Sequence, residues 1–517
     1  MRLHSILNSI LVRPLLPIFI FVAVSVAPAQ TAPGTVNFRL QTGCCGDGSP
    51  NGVTTGDFNE DGRVDVAVMD QGSDDIFVVR NDGAFQFSIA SIIERVSDTG
   101  DFPIAIAAGS FDGDTHQDLA VANQASHRID IYLGRGDGTF ITSGGIAEAG
   151  TTTIPIAGVP IAMIGANLRN DGRTQLVVAE CAAVNVKPCT LDVFQSNSAG
   201  IFEAAQRIAL PGIPGSFNFI PQDAFNIITS DDFDLDNKPD IAIGVGNQAM
   251  VFRNTSAFDG NASAHLTLKT TVQSPNGGLI SALTSGHFNA GAAPDLLFEV
   301  FNPGKDPSLP NTQYVFLNHG NGTFFLKQVI TGQHSGHNLA VSDINGDFIQ
   351  DLMIMGAKGV DYALGRGDGT FRSFQHVSDP SLLGNNTAIV IRDLNRDSRH
   401  DFIVTTFGLP PENSSFAAFF LNANAAPNCP APGSQTVSVA VCSLTPTTNA
   451  ITVKASGNSP NGVKRLELWV DGKKLTQAFN DQINTRVSVA AGTRRVTIVA
   501  VDLYDAIVKK TMTVTVP

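Results

Sequence analysis

Five stretches of the chain place oxygen-bearing side chains at alternate positions and close each set with an aspartate at the ninth. They are Asp57, Asn59, Asp61 and Asp65; Ser110, Asp112, Asp114 and Asp118; Asp232, Asp234, Asp236 and Asp240; Asp343, Asn345, Asp347 and Asp351; and Asp393, Asn395, Asp397 and Asp401. Alternate side chains of a curled loop converge on one point, and hard oxygen donors converging on one point suit Ca²⁺. Position seven would add its backbone carbonyl, so its side chain is free to vary. Turn formation alone needs one or two such residues. Three or four carboxylates held close together repel strongly unless a cation neutralises them. Two related stretches depart from the pattern. Asn167, Arg169, Asp171 and Gln175 put a guanidinium at a ligand position, and His287, Asn289, Gly291 and Asp295 lack a ligand at the fifth. Both are expected to stay empty, which leaves up to five structural calcium ions.

Other chemistry is thinly represented. The chain has no H-E-x-x-H, G-x-S-x-G or phosphate-binding loop. Glu180 and Glu299, each at the end of a predicted strand, are the only suggestive acid/base carboxylates, and a hydrolase or lyase would need them clustered with a histidine. His334 and His337 lack a third ligand. Arg135-Gly136-Asp137 and Arg366-Gly367-Asp368 spell an integrin-recognition tripeptide, but both lie inside a repeated Gly-Asp-Gly turn whose shape the fold explains. The six cysteines include no C-x-x-C pair. Cys181 with Cys189 and Cys429 with Cys442 are candidate clips, while adjacent Cys44 and Cys45 either join each other or stay free.

The elements that position the aspartates follow from a repeat. Seven segments align, from Gly56 followed by DFNEDGRVDVAV to Arg392 followed by DLNRDSRHDFIV, at a mean spacing of about 56 residues. A second element recurs downstream as Tyr132-LGRGDGTF, Val315-FLNHGNGTF and Tyr362-ALGRGDGTF. Each unit reads as four short strands with an Asp-rich first turn and a Gly-Asp-Gly third turn. Seven such sheets predict an all-β fold, a seven-bladed β-propeller. Thr35–Gln41 reads as a strand before the first repeat, and the last unit stops one strand short near Leu421. The early strand is therefore expected to complete the last blade and remove the open edge.

The paired elements resemble FG-GAP/VCBS-type repeats, the units of the propeller head of integrin α subunits and of many exported bacterial proteins. The resemblance covers about Thr35 to Asn424. It implies a propeller with calcium-binding Asp-rich turns and a ligand face on the opposite, variable loops. The longest of those loops are Glu180–Cys189, Pro211–Asp223, Phe301–Gln313 and Phe407–Ser415. The repeat region has no Trp, and Tyr132, Tyr314 and Tyr362 lie in third strands where core packing explains them, so a sugar-stacking platform is not evident.

The ends of the chain complete the plan. Arg2 and Arg13 precede an apolar run from Leu15 to Ala27, and Ala27-Pro28-Ala29 has the form of a cleavage site. Residues 1–29 are expected to be a secretory signal peptide, the run being short for a bilayer span. Residues 30–427 are the expected propeller. Residues 428–517 alternate apolar and polar residues over six or seven short strands, and Gly462 followed by VKRLELWVDGKKL resembles bacterial Ig-like modules. This segment carries ten basic and five acidic residues, whereas the whole chain of 517 residues has a net charge of −14. Such an acidic chain is repelled by nucleic acid and anionic lipid. The acidity concentrates at the calcium turns. The expected function is a secreted or cell-surface binding or adhesion module for protein or polysaccharide. A propeller-based lyase or hydrolase and a surface spacer are the alternatives.

Overall fold

The computed structural model describes residues 36, 38–44, 48–93, 101–141, 151–169, 171–183, 186–197, 201–210, 227–257, 263–301, 311–331, 338–356, 359–377, 379, 382, 385–397, 399–409, 414–423, 437–459, 463–478, 481–502 and 506–517. The leader-like residues 1–29, the pair His334 and His337, Cys45, Cys429 and the Pro211–Asp223 loop lie outside them. Residues Thr31–Pro517 group as one compact unit. No helix among the described residues is long and apolar enough to cross a membrane.

Each of the first six repeats folds as an antiparallel meander of four strands. In the second repeat these are Pro103–Gly109, Asp118–Asn123, Arg128–Tyr132 and Thr151–Pro155, in that spatial order. The second strand reads as a continuous apolar run because both its faces are covered: Leu119 to Ala122 are fully buried. Among the described residues seven four-stranded sheets of this kind span positions 38–422. Their first strands touch in an unbroken cycle, the last meeting the first. The hydrophobic cores lie between consecutive sheets. Val177 and Leu191 of the third sheet pack with Ile241 and Phe252 of the fourth, and Val66 and Val68 of the first pack with Ile403 and Phe419 of the seventh.

Closure takes the expected form. Phe38–Cys44 pairs antiparallel with Ser414–Asn422, from Phe38 opposite Asn422 to Cys44 opposite Ala417. It supplies the seventh sheet's fourth, outermost strand.

A recurrent hydrogen bond locks neighbouring sheets. In four of them the third strand ends in an asparagine whose Nδ2 donates to a turn carbonyl of the preceding sheet. Asn254 reaches Leu168 O at 2.9 Å, Asn318 reaches Phe233 O at 2.8 Å and Asn422 reaches Ile344 O at 2.8 Å. Asn81 of the first sheet reaches Leu394 O of the seventh at 2.7 Å, so the join carries the same lock. In the second and sixth sheets, whose turns read Gly-Asp-Gly, the amides of Gly138 and Gly369 take over this task, donating at 2.8 Å to Phe58 O and Phe288 O.

Beyond the propeller, strands Ser438–Thr447, Ala450–Asn458 and Gln482–Ser488 form one sheet, and Lys473–Ala478, Val463–Val470, Gly492–Asp502 and Ile507–Val516 another. Ile451, Val453 and Ile483 of the first share one core with Leu466, Leu468 and Ile498 of the second. Cys181 and Cys189 form the expected disulfide. Cys442 is also disulfide-bonded.

Candidate metal centre

The Asp-rich turns have a common backbone device. In all five that keep the sequence pattern, the residue at position four has a left-handed backbone. These are Glu60 at φ 57°, Gly113 at 85°, Leu235 at 61°, Gly346 at 77° and Arg396 at 63°. For the three that are not glycine this conformation costs about 1 kcal/mol each. The reversal curls the loop, and in the second and fourth sheets three carboxylates come together within it. Ala290, at the same position of the fifth sheet's turn, does not share it.

Position nine has a second task. Asp65 accepts from Phe58 N at 3.1 Å and from Asn81 N at 2.8 Å, so one carboxylate fastens the first turn to the end of the third strand. Asp118, Asp240, Asp351 and Asp401 repeat this bridge in their own sheets. So does Asp295 in the ligand-poor turn, at 3.1 Å to Phe288 N and 2.8 Å to Asn318 N. In the third sheet Gln175 Oε1 receives Leu168 N at 2.6 Å. Since Asp295 makes the bridge where the ligand set is incomplete, position nine is a structural staple whatever else it does. Sequence spacing alone did not reveal this role. The one available signal is that Asp295 is retained in the turn that loses the fifth-position oxygen.

The acidic positions are brought together unequally. Asp112, Asp114 and Asp118 each present an oxygen within 4.8 Å of the others, and so do Asp232, Asp234 and Asp240. In the other three turns the acidic side chains do not meet this closely among the described residues. Asn59 and Asn345 order the loop locally, accepting from Asp61 N at 3.0 Å and Asp347 N at 2.9 Å, and Asn395 does the same for Asp397 N. Ser110 Oγ donates to Asp114 O at 3.1 Å. Arginines screen several turns: Arg63 pairs with Asp61 at 2.9 Å, Arg399 pairs with Asp397, and Arg253 bridges Asp234 and Asp236 at 2.8 Å each.

Burial dominates the electrostatics, with neighbouring carboxylates adding to it. It pushes Asp57 up to about 6, Asp65, Asp118 and Asp232 to about 7, and Asp240 and Asp401 to about 8. Asp343 and Asp351 are raised for the same reason. Such a site favours protons or a cation over bare carboxylates.

The third sheet solves the same problem internally. Arg169 is 6% exposed and its Nη2 lies 3.2 Å from Asp171 Oδ2, so a buried guanidinium stands at a ligand position. Arg169→Met keeps the stem and leaves Asp171 buried without its ion pair. It is expected to destabilise the protein by about 3 kcal/mol in urea unfolding, equally with and without calcium.

The suggestive carboxylates of the opposite face are used within their own sheets. Glu180 is ion-paired to Arg207 and accepts from Gly158 N at 3.1 Å, and Arg207 also holds Asp192 at 2.7 Å. Glu299 is fully buried and accepts from Asn311 Nδ2 at 2.7 Å, Gln313 Nε2 at 2.8 Å and Ser281 Oγ at 3.2 Å. No histidine is among these partners. Burial raises Glu299 to about 7 against these three bonds. The folded state therefore holds a proton that the unfolded state releases from about pH 4.5 upward, so stability falls as pH rises towards 7. Glu299→Gln is expected to abolish that loss, gaining about 3 kcal/mol over the parent at pH 8 and little at pH 4. Urea unfolding at the two pH values measures it. In both RGD turns the aspartate accepts from a threonine of the same turn: Asp137 from Thr139 N at 2.9 Å and Asp368 from Thr370 N at 3.0 Å. Tyr132, Tyr314 and Tyr362 are buried, as expected of core residues.

The family described as FG-GAP-like repeat matches residues 57–121 and 343–404, both of which include a complete Asp-rich turn. Among curated proteins there is no match. An Agrocybe aegerita lectin that recognises non-reducing terminal N-acetylglucosamine is similar at 14% identity and TM-score 0.42, over 64% of this chain and 80% of that one. The β-propeller domain of Cps50 from Myceliophteria thermophila is similar at 10% identity and TM-score 0.44, over 74% of this chain and 99% of that one. A protein from Lactobacillus plantarum is similar at 12% identity and TM-score 0.40, over 83% and 98%. Family match and sheet topology agree: the chain carries FG-GAP-like repeats in an all-β propeller of four-stranded antiparallel sheets.

Proposed function

We propose that this is an exported, calcium-stiffened propeller that binds an extracellular protein or polysaccharide and carries out no reaction itself. The observation that supports it best is the convergence of two carboxylate trios, Asp112 with Asp114 and Asp118, and Asp232 with Asp234 and Asp240. The donor set fits a hard cation. Asp57 is 2% exposed, and its Oδ1 is buried with no hydrogen-bond partner, a state that an ion would relieve. Calcium, when bound, supplies the positive charge that lets these carboxylates remain ionised in a buried hairpin. The chain's own residues do the rest: position four curls the loop, positions one, three and five present oxygens, and position nine ties the hairpin to the third strand.

In this reading the seven sheets are seven blades and residues 428–517 an immunoglobulin-like domain. Successive hairpins of a meander alternate between the two ends of the sheet, so the Asp-rich turns share one face and the loops between second and third strands the other. The latter include the disulfide-clipped loop between Cys181 and Cys189. Variable loops on a rigid scaffold are the usual site of binding. The internal bonding of Glu180 and Glu299 favours binding over hydrolysis. Glycan and protein arrays probed with the full-length chain test it. Retention of one ligand class is expected, whereas release of cleavage products from a polysaccharide or peptide panel would replace this reading with an enzymatic one.

A further inference from the structure

The surface of the C-terminal region that meets the propeller is polar and regular. Lys454 and Asn484 are register partners on one side of its three-stranded sheet, while Val453 and Ile483 face the core from the other. Asn484 Nδ2 donates to Phe348 O at 2.8 Å, Gln482 Nε2 lies 3.5 Å from Asp343 Oδ2, and Lys454 Nζ lies 3.4 Å from Asp347 O and 5.8 Å from the Phe348 ring. Asp481 Oδ2 is 2.8 Å from His400 Nε2, whose Nδ1 meets Ser342 Oγ. Most of these contacts fall on the Asp-rich turn of the sixth sheet, and the remainder on the residue preceding Asp401 in the seventh.

Phe348 is the pivot. Its backbone is left-handed, at φ 66°, a conformation that a bulky side chain adopts only when its surroundings impose it. Its amide donates to Asp343 Oδ2 at 2.7 Å, and its carbonyl is the acceptor for Asn484. Asp343 Oδ1 also receives Gly346 N at 2.7 Å and Asp347 N at 3.0 Å. One carboxylate thus holds three amides of the turn, and the carbonyl that the C-terminal region grips belongs to one of those residues. We infer that the C-terminal two-sheet region is latched to the aspartate turn of the sixth sheet, so that the folded state of this turn sets the region's orientation. The docked surface places the Lys454 ammonium against the acidic turn, and Asp481 against His400 beside it. Because the turn and the docked surface share Asp343 and Phe348, stabilising one stabilises the other to the same extent. The coupling to calcium rests on the reading above. The latch itself does not.

Hydrogen exchange of the full-length chain tests both parts. Asp343→Asn changes no residue of the C-terminal region, yet is expected to speed exchange of Gln482–Ser488 by about fivefold, the loss of about one net hydrogen bond. The reciprocal pair Asp481→Ala with Asn484→Ala, outside the turn, is expected to speed exchange of residues 343–351 by a similar factor. Faster exchange confined to the mutated side in both variants would overturn the latch. Chelation followed by metal analysis separates the calcium coupling. If the parent contains no calcium, the calcium reading fails while the two variants still decide the latch. If calcium is present and its removal leaves Gln482–Ser488 unchanged, the coupling is refuted.

Discussion

Replacing Asp295 with alanine is expected to destabilise the protein by about 4 kcal/mol without changing its calcium content. The carboxylate is fully buried and accepts from Phe288 N, Asn318 N and Asn289 Nδ2 at 2.8–3.1 Å. Removing a charged acceptor strands buried amides, at about 1.5–3 kcal/mol per bond. Part of the loss is offset because burial raises this carboxyl to about 7, so the group carries a desolvation penalty that alanine lacks. Asp295→Asn retains one acceptor oxygen and should restore roughly half the loss. Chemical unfolding of the three proteins, beside elemental analysis, checks this. An Asp295→Ala variant as stable as the parent would remove the staple role, and a drop in calcium content would show the fifth turn to be a metal site after all. Asp232→Ala is the contrast: it should lower calcium content, since Asp232 belongs to a convergent trio.

Removal of calcium is expected to lower the melting temperature by about 8–16 °C for each occupied site at pH 8 and by little at pH 5. A cation that binds only the folded state at a thousand times its dissociation constant contributes about 4 kcal/mol per site, and each kcal/mol is worth about 2–4 °C in domains of moderate size. The pH dependence follows from the buried carboxyls. In the metal-free protein, burial raises Asp232 to about 7 and Asp240 to about 8, far above their unfolded values. Between about pH 4 and 8 the folded state therefore binds more protons than the unfolded state, and metal-free stability falls as pH rises. Calcium competes with those protons, so its contribution grows over the same window. Melting scans with and without chelator at the two pH values measure it. Superimposable scans at pH 8 and no calcium by elemental analysis would end the calcium proposal.

How much was legible differs from feature to feature. The four-strand unit was readable because its signals are local: Gly and Asp at fixed turns, and apolar runs such as Leu119–Ala122 between them. Closure was readable from an excess strand at one end of the array and a missing one at the other. The shared role of position nine was not, because an aspartate that ligates and one that staples look alike in sequence. Its partners, such as Asn318 N for Asp295, come from another strand. Glu180 and Glu299 were suggestive for the same reason: their positions were visible, but Arg207, Asn311 and Gln313 arrive from residues further along the chain. The asparagine locks had a visible trace, a shared Asn closing the third strand in VRN81, FRN254, FLN318 and FLN422. What each Asn touches depends on the neighbouring sheet.

The sequence by itself determined the repeat, the strand count per unit, the closing strand and the residues that gather at each turn, since all of these are set by spacing and by the φ preferences of individual residues. Only the tertiary structure decided which carboxylates meet, which are paired with arginine, and that the sixth turn is gripped by the C-terminal region. The physical reason is range. Turn and strand preferences act over a few residues, whereas the charge environment of a buried carboxylate is set by groups brought beside it from distant sequence, such as Arg253 against Asp234 and Gln482 against Asp343.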